Sequence, residues 1–148
     1  MKAFCMMRQR NNNTDMDSFR LAVKAFCVQD GKLLIVQRAK GSTHQPNMWE
    51  LPGGRLDIGE NPFDGLPREV KEETGFDVIV QAPLSVRHFT RQDGQTITLI
   101  VFVCEITGGT ISVSEEHQHV QFVPLDQYTQ FIDPWYYDEC ERYLALYS

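Results

Sequence analysis

GRLDIGENPFDGLPREVKEETGF, Gly54 to Phe76, is the stretch from which the rest of the chain is read. A glycine turn is followed by four glutamates: Glu60, Glu69, Glu72 and Glu73. The last three stand three and four residues apart, so a helix places them on one surface within a turn of each other. Like charges at that spacing destabilise an isolated helix by roughly 0.2–0.5 kcal/mol per pair. One reading is a solvated acidic face. The other is a set of carboxylates that tolerate one another because a cation belongs among them. Three neighbours favour the second reading. Phe63, Leu66 and Val70 form an apolar stripe at helical period that anchors the helix to a core. Arg68 stands beside Glu69 and can orient a carboxylate through a bidentate contact. Gly53-Gly54 permits close backbone approach and offers carbonyl oxygens to a hard cation.

The spacing is Gly54, five residues, Glu60, seven residues, Arg68-Glu69-Val70, one residue, Glu72-Glu73, one residue, Gly75-Phe76. This resembles the complete signature of the Nudix hydrolases, with every fixed position filled. Trp49-Glu50-Leu51-Pro52-Gly53-Gly54 is similar to the lead-in common in that family. The resemblance implies an α/β/α sandwich around a mixed β-sheet, an α/β (α+β) class that the alternation of strands with a central and a C-terminal helix also predicts. It implies a Mg²⁺-dependent hydrolase, with Mn²⁺ as a possible substitute, that cleaves a diphosphate linkage in a nucleoside diphosphate derivative. Gly54, Glu69, Glu72 and Glu73 would be the metal set. Arg68 would orient the carboxylates, and Glu60 would support the loop or bind a further metal through water.

Such chemistry needs an activated water and neutralised phosphoryl oxygens, both of which divalent ions supply. Glu69 and Glu73, one turn apart, could share a metal. The general base is open among Glu116, Glu115 and Glu69, with Glu116 the first candidate because Glu115-Glu116 precedes a strand where some family members place their base. A merely polar turn is the plain alternative for Ser114-Glu115-Glu116. His88, His117 and His119 could act near neutral pH, but their spacing singles none out, and His44 reads as a loop residue.

Length and charge bound the rest. The 148 residues suit one domain, and a net charge of −6 lacks the basic footprint of a nucleic-acid binder. A nucleic-acid polymer or an anionic membrane is therefore not an expected partner, whereas a small nucleotide is, once a bound cation reverses the local field. Cys5, Cys27, Cys104 and Cys140 form no CxxC pair and read as idle thiols of a reducing compartment. The start has no signal-peptide core and no stretch reaches spanning length, so a cytoplasmic protein is expected.

In chain order, residues 1–18, with three asparagines in a row, read as a loose N-terminal arm ahead of a Nudix domain over 19–148. Phe19–Val28 and Lys32–Arg38 read as strands around an Asp30-Gly31 hairpin turn. The loop AKGSTHQPN could lie over a substrate. Met48–Leu51 reads as a short strand, and Asn61-Pro62 as a helix start. Pro67 predicts either a kink or a helix that begins only there. Gly75 ends the helix. Strands are expected over Asp77–Thr90 and Gln95–Ile106, with Gly108-Gly109 turning the chain into Thr110–Val113, then Val120–Val123. Asp126 would cap a short helix and Asp133-Pro134 would open the last one. The aromatics of that last helix read as packing, with a homodimer surface as the alternative.

Trp49, Phe89 and Phe122 are candidate base-stacking walls that also suit the core. Markers of ADP-ribose and dinucleoside polyphosphate enzymes are missing, since Arg91, Gln92, Asp93 and Gly94 stand at those places. The compact, MutT-like remainder predicts a (deoxy)nucleoside triphosphate pyrophosphohydrolase. The alternatives are an ADP-ribose or nucleotide-sugar pyrophosphatase and, from other classes, a non-catalytic nucleotide sensor or an acidic structural domain.

Overall fold

The structure, a computed structural model, describes residues 18–147. Seven strands form one mixed sheet: β1 Phe19–Gln29, β2 Lys32–Arg38, β3 Trp49–Glu50, β4 Gly53–Arg55, β5 Phe76–Thr90, β6 Thr96–Gly109 and β7 His117–Pro124. The path runs β3-β2-β1-β6-β5, with β4 paired to β1 and β7 to β2. Helix α1 is Pro62–Thr74 and helix α2 is Tyr137–Tyr147, preceded by 3-10 turns at Leu125–Gln130 and Pro134–Tyr136.

β1 is central because it is apolar on both faces: Ala22 to Cys27 are buried without a break, including Lys24. It runs parallel to β6 from Phe19↔Thr96 to Cys27↔Cys104. Its far end pairs β2 next to the Asp30-Gly31 turn, and its middle pairs β4 at Val23↔Gly54 and Lys24↔Gly53. Alternate β1 residues point to opposite faces. Val23, Ala25 and Cys27 join Leu66 and Val70 of α1, whereas Ala22 and Phe26 join Ile132, Tyr136 and Cys140 beneath α2. This is the sandwich expected from the sequence. On the α2 side, the fully buried Glu139 carboxylate accepts from both arms of the Arg87 guanidinium at 2.7 and 2.6 Å and from Ser85, which fastens the helix to β5.

α1 starts at Pro62 and continues through Pro67, so the helix does not begin only at Pro67. Asn61 caps it by accepting from the Phe63 N–H at 2.9 Å. Gly65 lies against Leu56 and Glu60 so closely that a Cβ there would come within 2.5 Å of the leucine. Leu66 and Val70 are fully buried, but Phe63 is 60 % exposed and only borders the core through Phe102. Gly75, at φ 82°, closes the helix in the left-handed region, with its N–H on the Lys71 carbonyl.

Several expected boundaries move. Gly108 and Gly109 continue β6 opposite Asp77 and Phe76 instead of turning, because β5 is long enough to pair them. Thr110–Val113 forms no strand; it packs on the end of α1, where the Ser112 N–H bonds the Thr74 carbonyl. β7 begins at His117 because β2 pairs it that far, at Arg38↔His117. Asp126 caps nothing: the 3-10 turn there follows Pro124 and has no side-chain cap. Asp133 does cap, accepting from the Trp135 N–H. β5 runs through Pro83 with bulges on either side of it. Residues 1–17 of the expected arm lie outside the described residues, while the Ser18 carbonyl already accepts from Thr96. Cys27, Cys104 and Cys140 are free and buried, and Cys5 is outside the described residues. No helix among the described residues is long and apolar enough to cross a membrane.

Candidate metal and catalytic site

The glycine turn and the acidic helix meet at Gly53. Its φ is 134°, and a Cβ there would stand 2.1 Å from the Val23 carbonyl oxygen, so only glycine permits the turn to press on β1. That approach lets the Gly53 N–H donate to Glu73 Oε2 at 2.8 Å while the Gly53 carbonyl accepts from Lys24 Nζ at 3.2 Å. Gly54 then lies beside Glu69, 3.6 Å separating the place of its absent Cβ from Oε2.

The four signature glutamates divide into two groups. Arg68 holds the outer ones. Its Nε and Nη2 donate to the two oxygens of Glu60 at 3.0 and 2.9 Å, Nη1 reaches Glu72 at 3.2 Å, and Nη2 reaches Glu69 at 3.4 Å. Glu60 also accepts from the Asp57 N–H, which ties the loop to the helix. The Arg68 hydrogen bond holds the Glu60 carboxyl below the usual carboxylate range. Glu69 is half-buried, and desolvation raises its pKa despite Arg68, with Glu72 and Glu116 adding to the rise.

Glu73 is the inner one, 4 % exposed. Burial pushes its carboxyl up to about 8 against the opposing pull of Lys24 and the Gly53 N–H. A carboxylate oxygen of Glu73, one of Glu116 and a ring nitrogen of His117 lie within 4.8 Å of one another. That span matches the width of a small divalent cation's coordination sphere, about 4–5 Å for oxygen ligands. Two carboxyl groups short of counter-charge suit such an ion, whose charge would favour their ionised form. Glu69 borders this group from the Gly54 side, whereas Glu60 and Glu72 are engaged by Arg68. Glu115 and Glu116 are both exposed, and only Glu116 joins the cluster.

Behind the carboxylates lies an ionic cluster that the sequence reading did not find. Glu50, 5 % exposed, is 3.5 Å from Lys24 Nζ, 3.3 Å from Arg38 Nη1 and 3.2 Å from His117 Nε2. Burial alone would raise its pKa; Lys24, the His117 hydrogen bond and Arg38 overcome this and hold it at about 2. Lys24 in turn is raised above its ordinary value: desolvation would lower it, and Glu50, Tyr136 and Glu73 together outweigh that. The only signals in the sequence were a lysine inside an apolar strand and a glutamate inside the turn's lead-in. Of the other histidines, His88 bonds Thr98 on β6, His119 lies on Trp49, and His44 is exposed in its loop.

The family model of the NUDIX domain matches residues 18–142. The chain belongs to the Nudix hydrolase family. A MutT-like protein from Streptomyces ambofaciens is 37 % identical over 69 % of this chain and 61 % of its own. An ADP-ribose pyrophosphatase from Methanocaldococcus jannaschii is 29 % identical over 76 % of this chain and 69 % of its own. The chain spans between 38 % and 61 % of the length of the first curated relatives it matches. The crystal structure of a MutT protein from Methanosarcina mazei superposes with a TM-score of 0.76 at 24 % identity, covering 87 % of this chain and 95 % of that one, a likeness of fold.

The loop after β2 borders an open cavity of about 410 Å³ lined by Gln45, Pro46, Asn47, Met48, Asp133 and Trp135. Gln45 and Asn47 hold it at φ 43° and 64°. The side-chain oxygen of Asn47 accepts from Gln118 at 2.7 Å. Of the candidate stacking walls, Phe122 packs edge-on against Phe76 and Phe89 against Trp135, while Trp49 is half-buried beside His119.

Proposed function

We propose that this Nudix domain hydrolyses a diphosphate linkage in a small nucleotide, using Mg²⁺ or Mn²⁺, and that its substrate is a (deoxy)nucleoside triphosphate. The observation that carries the reading is that Glu73, on the Gly53 N–H, and Glu116 come within 4.8 Å of each other, while Glu69, beside Gly54, repels both, with too few cations in contact to neutralise them. Glu73 and Glu69 would hold the ion with the Gly54 carbonyl, and Glu72 and Glu60 would complete or brace the set through Arg68. A bound divalent ion supplies charge neutralisation at the phosphoryl oxygens and a water of lowered pKa. Glu116, exposed and grouped with Glu73, would face the ion from its loop and take the proton of the attacking water. Arg68 keeps the outer carboxylates apart and oriented. The cavity between residues 45–48 and 133–135 would receive the part of the substrate that does not react.

A second reading, ADP-ribose hydrolysis, has one observation in its favour: the archaeal relative that bears that activity's name. Incubation with nucleoside triphosphates, oxidised dGTP, ADP-ribose, nucleotide sugars and dinucleoside polyphosphates, followed by product identification, decides between them. Release of pyrophosphate and a nucleoside monophosphate supports the first reading. Cleavage of ADP-ribose alone supports the second. Nucleotide binding without turnover in the presence of Mg²⁺ and Mn²⁺ would overturn both in favour of a sensor.

A further inference from the structure

The carboxylate of Glu116 has no hydrogen-bond partner among the described residues and is exposed, yet it stands within reach of the buried Glu73. A free side chain on a loop loses rotamer entropy to stay there, so its placement depends on what fixes its backbone. Two things do. The Glu116 carbonyl accepts from the Ala39 N–H at 2.9 Å. Its neighbour His117 is 5 % exposed and held at both ring nitrogens. Glu50 is an ionised carboxylate and only accepts, so Nε2–H donates to it at 3.2 Å, which leaves Nδ1 to the Ser114 hydroxyl at 3.2 Å. Ser114 and His117 also close the turn through the His117 N–H and the Ser114 carbonyl. The register between β2 and β7 shifts at this point, as bulges beside reactive sites do when they re-aim a side chain.

We propose that His117 is a positioning residue: it fixes the turn that carries Glu116, Glu50 fixes His117, and the cluster behind the site thereby aligns Glu116 with Glu73. The same Glu50 draws on Lys24, whose Nζ holds the Gly53 carbonyl, while the Gly53 N–H holds Glu73. One buried carboxylate thus sets both sides of the pair. His117 does not ligate the ion, because both of its nitrogens are already engaged. This inference rests on the hydrolase reading for what Glu116 does, and on geometry alone for where Glu116 is held.

Four variants test it: His117→Ala, His117→Gln, Glu116→Gln and the double variant Glu116→Gln/His117→Ala. Turnover of the substrate found in the panel is measured together with Mn²⁺ binding to the free protein by electron paramagnetic resonance and thermal stability. Loss of a residue that orients a ligand typically costs about 10–100-fold in metal affinity or activity. His117→Ala is expected to lower kcat and Mn²⁺ affinity by that factor with KM within about twofold, while His117→Gln, which keeps an N–H for Glu50, recovers most of both. In the Glu116→Gln background, His117→Ala should change neither quantity further, since a group acting only through another is non-additive with it. An equal loss in both backgrounds, or no rescue by glutamine, makes His117 a ligand or a plain packing residue and overturns the proposal. A wild-type protein that cleaves no diphosphate refutes the hydrolase reading, and the Mn²⁺ arm then still decides the positioning claim. A fully active Glu116→Gln with unchanged Mn²⁺ binding refutes the positioning claim and leaves hydrolysis standing.

Discussion

Replacing Glu50 by glutamine should destabilise the fold at neutral pH by about 3 kcal/mol, and the deficit should fade in acid. The magnitude comes by two routes. Glu50 contacts Lys24, Arg38 and His117 at 3.2–3.5 Å with 5 % of its surface exposed. Removing one partner of a buried ion pair typically costs about 3–5 kcal/mol, because the other charge is left uncompensated. Glutamine keeps the volume and one acceptor oxygen, which favours the lower end. Independently, the carboxyl is held at about 2 against an ordinary 4.5, a displacement that corresponds to about 3 kcal/mol. A folded-state pKa that is depressed gives stability that is present above the unfolded value. That stability is lost as pH falls from about 4.5 through about 2. Urea unfolding of wild type and Glu50→Gln at pH 7, 4 and 3 is the assay. In a domain of this size the shift at pH 7 corresponds to roughly 6–12 °C in Tm. A difference below about 1 kcal/mol at pH 7, or one that stays constant down to pH 3, would refute the reasoning that a paired, ionised carboxylate sits there.

Glu73→Gln should abolish most turnover, at least 100-fold, while metal-free stability stays level or rises, since burial already disfavours the charge that is removed; thermal shifts with and without Mg²⁺ should show the ion's stabilisation lost. Arg68→Ala should lower kcat about 10–100-fold by releasing Glu60, Glu69 and Glu72, yet cost no more than about 1 kcal/mol of stability because the guanidinium itself and Glu72 are open to solvent. Lysine at that position should not restore the rate, having no fork for two carboxylate oxygens. Gly53→Ala should prevent folding or lower Tm by more than 10 °C, roughly the cost of several kcal/mol, from the 2.1 Å clash with Val23; circular dichroism melts check it.

What could be read in the sequence is what local spacing controls. The three helical glutamates, the Asn61 cap, the Gly75 stop and β2 over Lys32–Arg38 all follow from patterns within a few residues. The acidic set was legible for the same reason: its members share one helix and one turn. Lys24, Glu50 and His117 were not, because only long-range register assembles them. Lys24 meets Gly53 through β1–β4, Glu50 lies opposite Val36 through β2–β3, and His117 lies opposite Arg38 through β2–β7. The misplaced boundaries have the same origin. Gly108-Gly109 reads as a turn until β5 supplies partners for it, and His117 reads as loop until β2 does.

The two buried carboxylates show how the fold separates structure from chemistry. Glu50 and Glu73 are 5 % and 4 % exposed, and both feel Lys24, yet one is held at about 2 and the other pushed to about 8. Desolvation is the first cause for each, so it cannot explain the divergence; contact does. Glu50 touches two basic side chains and a histidine, whereas Glu73 has one backbone N–H and the repulsion of Glu69 and Glu50. The chain places its nearby cations on the carboxylate that builds the cluster and withholds them from the one that faces Glu116. Pushing a pair of acids apart in this way assigns them different tasks. The counter-charge Glu73 lacks is what a divalent ion would bring, so adding a lysine within reach of Glu73 should stabilise the metal-free protein and weaken Mn²⁺ binding together. Calorimetric titration of that variant with Mn²⁺ checks the linkage, and a variant that gains stability without losing affinity would break it.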